Sequence, residues 1–192
     1  MEDAGGLSKS PGALGKGPAH LKKRKEKDEM DKFYLAYGSN LNVEQMRRRC
    51  PGAIMVGTAE LKDYQLLFRG HRDGRFGVLT VEPHKGSSVP LGVWMITPSD
   101  EMALDFYEGY PNLYTKEELY LPVRLPGGDK QFDIWAMIYR MTPGHCLALP
   151  TEGYFDTCEQ GYRDFGFDVS VLNQAWADSF PPKRRRTVLG FR

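Results

Sequence analysis

Two carboxylates and one glycine turn are the residues best placed, by type and spacing, to do chemistry. Asp105 and Glu108 stand three apart in "LDFYEGYPNLY", so on a helix they share one face. Glu108 directly precedes Gly109, a residue type that closes helices. A carboxylate at that end faces the negative pole of the helix dipole, which opposes ionisation and raises its pKa. Phe106, Tyr107, Tyr110 and Tyr114 flank it in sequence and are expected to desolvate it. A carboxyl titrating near neutrality is what general acid–base chemistry requires. The competing reading of this stretch alone is a frayed surface glutamate.

The turn lies in "FYLAYGSNLNVEQM", residues Phe33 to Met46, where an apolar strand runs into Gly38, Ser39 and Asn40 before a helix start. Several backbone N–H groups and the positive end of a helix dipole then converge, an arrangement suited to a carboxylate or phosphate. No G-x-G-x-x-G follows and no P-loop is present, so neither nucleotide fingerprint applies. On local geometry alone a plain strand-to-helix turn is the simpler account.

Other candidates are weaker. Ser39 has no G-x-S-x-G elbow to make it a nucleophile. His20, His71, His84 and His145 lack ligand spacing, so no metal site is expected. Cys50, Cys146 and Cys158 are odd in number and far apart, which suits free thiols in a reducing cytoplasm. Cys146 and Cys158 read as buried small hydrophobes, and Trp94, Trp135 and Trp176 as core.

The elements that must position these residues follow from the punctuation. At 192 residues and 41% hydrophobic, the chain has the size and composition of one globular domain. Residues 1–32 are rich in Gly, Pro, Ser and charge and read as a disordered tail, and "KRRRTVLGFR" (183–192) as a basic one. "KKRK" and "KRRR" resemble nuclear-localisation or polyanion tracts, and solvated terminal charge is the simpler account. Residues 33–182, the domain itself, carry 13 basic against 19 acidic side chains, a net of −6, which argues against nucleic acid as a partner. No apolar run reaches the length of a membrane span, and no signal-peptide core is seen.

Within the domain a strand is expected at 33–37 and a helix at Val43–Cys50, with Asn42 and Gln45 at capping-box spacing. Strands at 64–68 and 76–81 flank an Asp73-Gly74 turn, and another covers 89–96. Thr97, Pro98, Asp100 and Gly109 bracket a second helix. Two strands surround the turn Pro126-Gly127-Gly128-Asp129, and helical segments fill the end. Consecutive hairpins with a few helices indicate an α+β fold with a curled or closed sheet.

"YGSN" at 37–40, "GVW" at 92–94, "LDFYEGYPNLY" at 104–114 and "IYRM" at 138–141 together resemble the γ-glutamylcyclotransferase family (an AIG2-like superfamily) over residues 33 to about 178. The resemblance implies a small closed mixed β-barrel with flanking helices. It also implies cofactor-free conversion of a small-molecule γ-glutamyl amine or amino acid to 5-oxoproline and the free amine. It assigns Tyr37, Gly38, Ser39, Asn40 and Leu41 to a substrate loop, Glu108 to the acid/base role, and Tyr114 and Tyr139 to the pocket. Asn40 sets the turn apart from the "YGSL" of a glutathione-specific branch and the "YGTL" of an isopeptide-specific one. A homodimer is left open. The rivals are a non-catalytic carboxylate-binding module of the same fold and a nucleic-acid-associated protein using its basic tails.

Overall fold

The computed structural model describes residues 30–70, 76–128 and 130–180, and its compact unit begins at Asp31. The tails and the Asp73-Gly74 turn of the sequence reading therefore lie outside the described residues, apart from a few tail residues next to the domain. One of these, Lys32, was assigned to the tail but opens the first strand, β1 (Lys32–Ala36). Tyr37 falls just past its end.

Five strands close into a barrel in the order β1-β3-β2-β4-β5. The strands β2 (Ile54–Gly70) and β3 (Gly77–Ile96) form one long antiparallel hairpin. β4 (Tyr114–Arg124) and β5 (Gln131–Met141) form a second. β1 joins them, antiparallel to β3 and parallel to β5, which makes the barrel mixed.

Residues 54–62, not recognised as strand from sequence, pair with 88–95, and the segments expected at 76–81 and 89–96 are one strand. The ladder is broken by bulges at Met55/Gly57 and Lys62/Tyr64. The strand passes through Pro83 beside the second of these, and through Pro90 just beyond residues 92–96, where β1 no longer pairs with it. At the second bulge Asp63, at φ 60°, faces residues 84–87 and accepts from the Gly86 N–H at 2.9 Å.

Four helices flank the barrel: α1 (Val43–Arg49), α2 (Pro98–Glu108), α3 (Glu152–Asp164) and α4 (Ser170–Asp178). α2 begins where its punctuation predicts. Thr97 and Asp100 make a reciprocal capping box, worth about 1 kcal/mol, and Gly109 closes the helix in the left-handed region at φ 64°.

The box expected at α1 is only half formed. Asn42 Oδ1 accepts from the Gln45 N–H at 2.8 Å, but the Asn42 N–H is already taken by the Ser39 carbonyl at 3.1 Å. Gln45 Oε1 is left buried without a partner.

The core fills the barrel and continues under α3 and α4, where Phe68 and Phe155 each meet Trp176 edge-to-face and lie tilted against one another. Trp94 is buried and Trp176 packs against the core, but Trp135 is 63% exposed and rests on Tyr120 across the β4–β5 hairpin. Its strand alternates faces, and Trp135 falls on the outer one. Cys50 and Cys158 are buried, whereas Cys146 is exposed in the irregular stretch after β5.

Candidate active site

Where β1 ends, the chain must leave the barrel at once. It does so through a single 3-10 turn, Ser39–Leu41, in which Leu41 N–H bonds to the Gly38 carbonyl at 2.9 Å. The first N–H groups of such a turn have no intrahelical acceptor, so those of Ser39 and Asn40 lead its open end. Leu41 turns into the core instead. Its side chain is 0% exposed and anchors the turn in the core, a burial worth about 2 kcal/mol. Two glycines make room for it. A Cβ on Gly92 would lie 2.6 Å from Leu41 Cδ2, and one on Gly161 would lie 2.6 Å from Leu41 Cβ. The turn is thus held between β3 and α3.

The turn borders a cavity of about 230 Å³. Tyr37, Gly38, Ser39, Asn40, Glu108, Tyr114 and Tyr139 all line it, so of the residues that the resemblance assigned to the site only Leu41 lies elsewhere. Tyr34, Tyr107, Tyr154, Phe76, Val78, Leu79 and Leu113 complete the wall. Tyr107 carried a sequence signal through its place beside Glu108. Tyr34, inside an apolar strand, and Tyr154, in the first turn of α3, carried none.

Glu108 is the last residue of α2, and its Oε1 accepts from Asn40 Nδ2 at 2.7 Å. The same amide donates to the Tyr34 hydroxyl at 2.7 Å, and its Oδ1 accepts from Arg49. The Asn40 carbonyl accepts from Trp94 Nε1 at 3.1 Å, so the whole residue is pinned.

Burial pushes the Glu108 carboxyl up to about 7, against the opposing pull of the Arg49 charge and the Asn40 hydrogen bond. The desolvating surroundings differ from those expected. Phe106 is 91% exposed and Tyr110 is exposed, while Tyr34, Tyr37, Tyr114, Tyr139 and Tyr154 surround the carboxyl from other elements. Burial raises the pKa of each of these phenols, which keeps them neutral.

Most of the phenols brace the wall. Tyr37 donates to the Tyr139 carbonyl at 2.7 Å, and Tyr114 to the Leu79 carbonyl at 2.6 Å, while Tyr154 accepts from the Leu79 N–H at 3.2 Å. Tyr139 contributes its ring to the cavity, and its hydroxyl donates to Asp105 Oδ1 at 2.6 Å. Asp105 in turn pairs with Lys116 at 2.7 Å, so this second carboxylate of the helix face is tied down outside the cavity. Ser39 Oγ meets the Tyr107 hydroxyl at 3.1 Å.

Among the described residues no group of three or more His, Cys, Asp or Glu side chains converges as a metal would need. His145 is spent on Gly70 and Thr142, and His84 on Ser87.

This barrel is shared with a solved "Gamma-glutamyl cyclotransferase", which superposes with a TM-score of 0.64 at 24% identity over 82% of this chain and 92% of that one. YkqA from Bacillus subtilis superposes with a TM-score of 0.60 at 19% identity, over 85% of this chain and 60% of that one. The family described as "Gamma-glutamyl cyclotransferase, AIG2-like" matches residues 34–157, and the chain belongs to it. The matched span takes in every cavity-lining residue named above.

Among curated relatives, a γ-glutamylcyclotransferase of Mus musculus is 36% identical over 140 residues, 70% of this chain and 71% of that protein. One of Bos taurus is 31% identical over 117 residues, 57% of this chain and 59% of the relative's length. No helix among the described residues is long and apolar enough to cross a membrane.

Proposed function

We propose that this protein is a cofactor-free γ-glutamylcyclotransferase, converting a γ-glutamyl amine or γ-glutamyl amino acid to 5-oxoproline and the free amine. The observation that carries the reading is Glu108, a carboxyl raised to about 7 at the wall of a small cavity. The cavity is below the roughly 300–1,000 Å³ of drug-sized sites, which favours one small acyl group with its amine toward the mouth.

The chemistry needs no protein nucleophile. The substrate's α-nitrogen attacks its own γ-carbonyl carbon, forming the ring C–N bond. Glu108 takes the proton that the α-ammonium must lose. It gives that proton to the departing nitrogen as the original γ C–N bond breaks. The second proton, shed by the attacking nitrogen as the ring amide forms, passes by the same carboxylate to the freed amine, which leaves as an ammonium. Glu108 ends as the carboxylate it began. The bent γ-glutamyl chain brings amine and carbonyl together, so proximity supplies part of the rate. Backbone N–H groups at the open end of the Ser39–Leu41 turn are suited to the substrate's negative oxygens.

A non-catalytic carboxylate binder would gain nothing from a second carboxyl in the pocket. The test is 5-oxoproline release from a panel of γ-glutamyl amines and dipeptides, beside a binding titration with an uncleavable γ-glutamyl analogue. Turnover of at least one compound supports the enzyme. Binding of the analogue without any 5-oxoproline supports the binding module instead.

A further inference from the structure

Three consecutive arginines end α1, and they do not share one environment. Arg47 and Arg48 are exposed, whereas Arg49 is turned in, its guanidinium 3.1 Å from the centre of the Tyr107 ring. From there Arg49 Nη1 donates to Asn40 Oδ1. An arginine has donors and no acceptor, so this contact fixes which end of the Asn40 amide faces which neighbour. The oxygen must lie toward Arg49. The nitrogen must then lie toward Glu108 Oε1 and the Tyr34 hydroxyl, both at 2.7 Å.

We propose that Arg49 is a positioning residue of the site: it locks the Asn40 amide with its nitrogen on Glu108 Oε1, so that Glu108 exchanges its proton through Oε2. The assignment rests on the cyclotransferase reading for its catalytic meaning, but not for its geometry. With the amide reversed, two acceptor oxygens would face each other, and only the protonated carboxyl could bridge them. Arg49 thus keeps available an ionised state that burial alone opposes.

The groups facing Glu108 from the other packed elements are Tyr34, Tyr37, Tyr114, Tyr139 and Tyr154, all held neutral. On its own helix, Tyr107 carries the ring beneath the guanidinium. Among the described residues Arg49 brings the one formal charge to this set, and that charge lowers the carboxyl's proton affinity.

The experiment reads Glu108 directly. Protein labelled with ¹³C at the glutamate carboxyl is titrated by NMR, with the Glu108 signal assigned by its loss in E108Q. In R49Q the midpoint is expected to rise by about one pH unit, the lower end of the effect of a close opposite charge. The Asn40 side-chain N–H signals, which should follow the same titration in the unaltered protein, are expected to lose that dependence. R49M, which keeps the apolar stem, replaces R49Q if the latter does not fold. A midpoint within about 0.2 unit of the unaltered protein overturns the assignment, since that is a small fraction of what one adjacent charge contributes. Unchanged Asn40 signals overturn it equally. If no γ-glutamyl compound is turned over, the cyclotransferase reading fails, and the two spectra still decide the role of Arg49.

Discussion

Glu101 and Glu108 are the same residue type on the same helix, seven positions and two turns apart, and so on one face. Their fates are opposite. Burial tends to raise Glu101, but hydrogen bonds and charge from Lys116 at 2.6 Å and Lys32 at 2.7 Å outweigh it and hold the carboxyl below its ordinary value. Glu108 meets a neutral amide and a ring of neutral phenols, and burial wins, up to about 7. The helix supplies the same backbone to both, apart from the dipole end that Glu108 occupies. What separates a structural carboxylate from one able to exchange a proton is whether a cation sits against it. The boundary runs through Asp105, whose contact with Lys116 closes the paired region.

The largest effect expected from this contrast is on turnover. Glu108→Gln should lower kcat by roughly a hundredfold to ten-thousandfold, the usual worth of a general acid/base. Glu101→Gln should leave kcat within about threefold, because no reacting atom depends on it. Steady-state 5-oxoproline release measures both. A Glu108→Gln protein keeping more than about a tenth of wild-type kcat would assign the proton to another group.

The second difference is in stability, and the two variants should move in opposite directions with pH. The folded-state pKa of Glu108 is raised, so its protonated form stabilises the fold fully below about 4.5, and this contribution is lost as pH rises to about 7. Glu108→Gln should therefore match wild type near pH 4, gain about 3 kcal/mol over it by neutral pH, and gain little more beyond. The folded-state pKa of Glu101 is lowered, so its contribution is present above 4.5 and lost as pH falls through the lower folded value. Glu101→Gln should cost about 1 kcal/mol at neutral pH and progressively less in acid. Urea melts at three pH values would show the two variants diverging as pH rises, and parallel curves would refute it.

A smaller effect tests the turn. At φ −123° Gly38 is not in the left-handed region, and a Cβ there would make ordinary contacts of 3.5 Å with Leu79 and the Tyr154 hydroxyl. Gly38→Ala should thus bind substrate almost normally. Gly38→Val, whose methyls would reach into the cavity, should raise KM about tenfold, equivalent to about 1.4 kcal/mol of crowding. Equal KM values for the two would show that the glycine serves only the chain's path. The smallest effect is Tyr139→Phe, which removes the bond to Asp105 while keeping the ring. About 1 kcal/mol of stability and a two- to threefold loss in kcat/KM are expected, by thermal melt and initial rates.

How far the site could be read in the sequence follows from how local each signal is. Glu108 at a helix end and the glycine turn at 38 were legible because caps, prolines and closing glycines act within a few residues. So was α2 as a whole, from Thr97 to Gly109. The wall of the cavity was not. Tyr34 reaches Glu108 through barrel closure and Tyr154 through the packing of α3 on the barrel, and no neighbouring residue encodes either. Residues 54–62 read poorly as strand because their pairing with 88–95 is interrupted by bulges. Trp135 looked like core from its type, yet it lies on the outer face of its strand. The resemblance assigned Leu41 to the substrate loop together with its neighbours, and nothing local shows that its side chain turns into the core.

The seating of Leu41 between Gly92 and Gly161 bears on how such a site can diversify. A library of all substitutions at these two positions should return almost only glycine among active clones, since any larger residue would displace the turn. The turn would then be a fixed component, inherited with the barrel. New leaving-group preferences would have to be written where side chains meet the cavity without supporting the loop, at Val78 before Tyr107, which holds Ser39, or positions 38–41. Selection for altered amines should enrich changes there first.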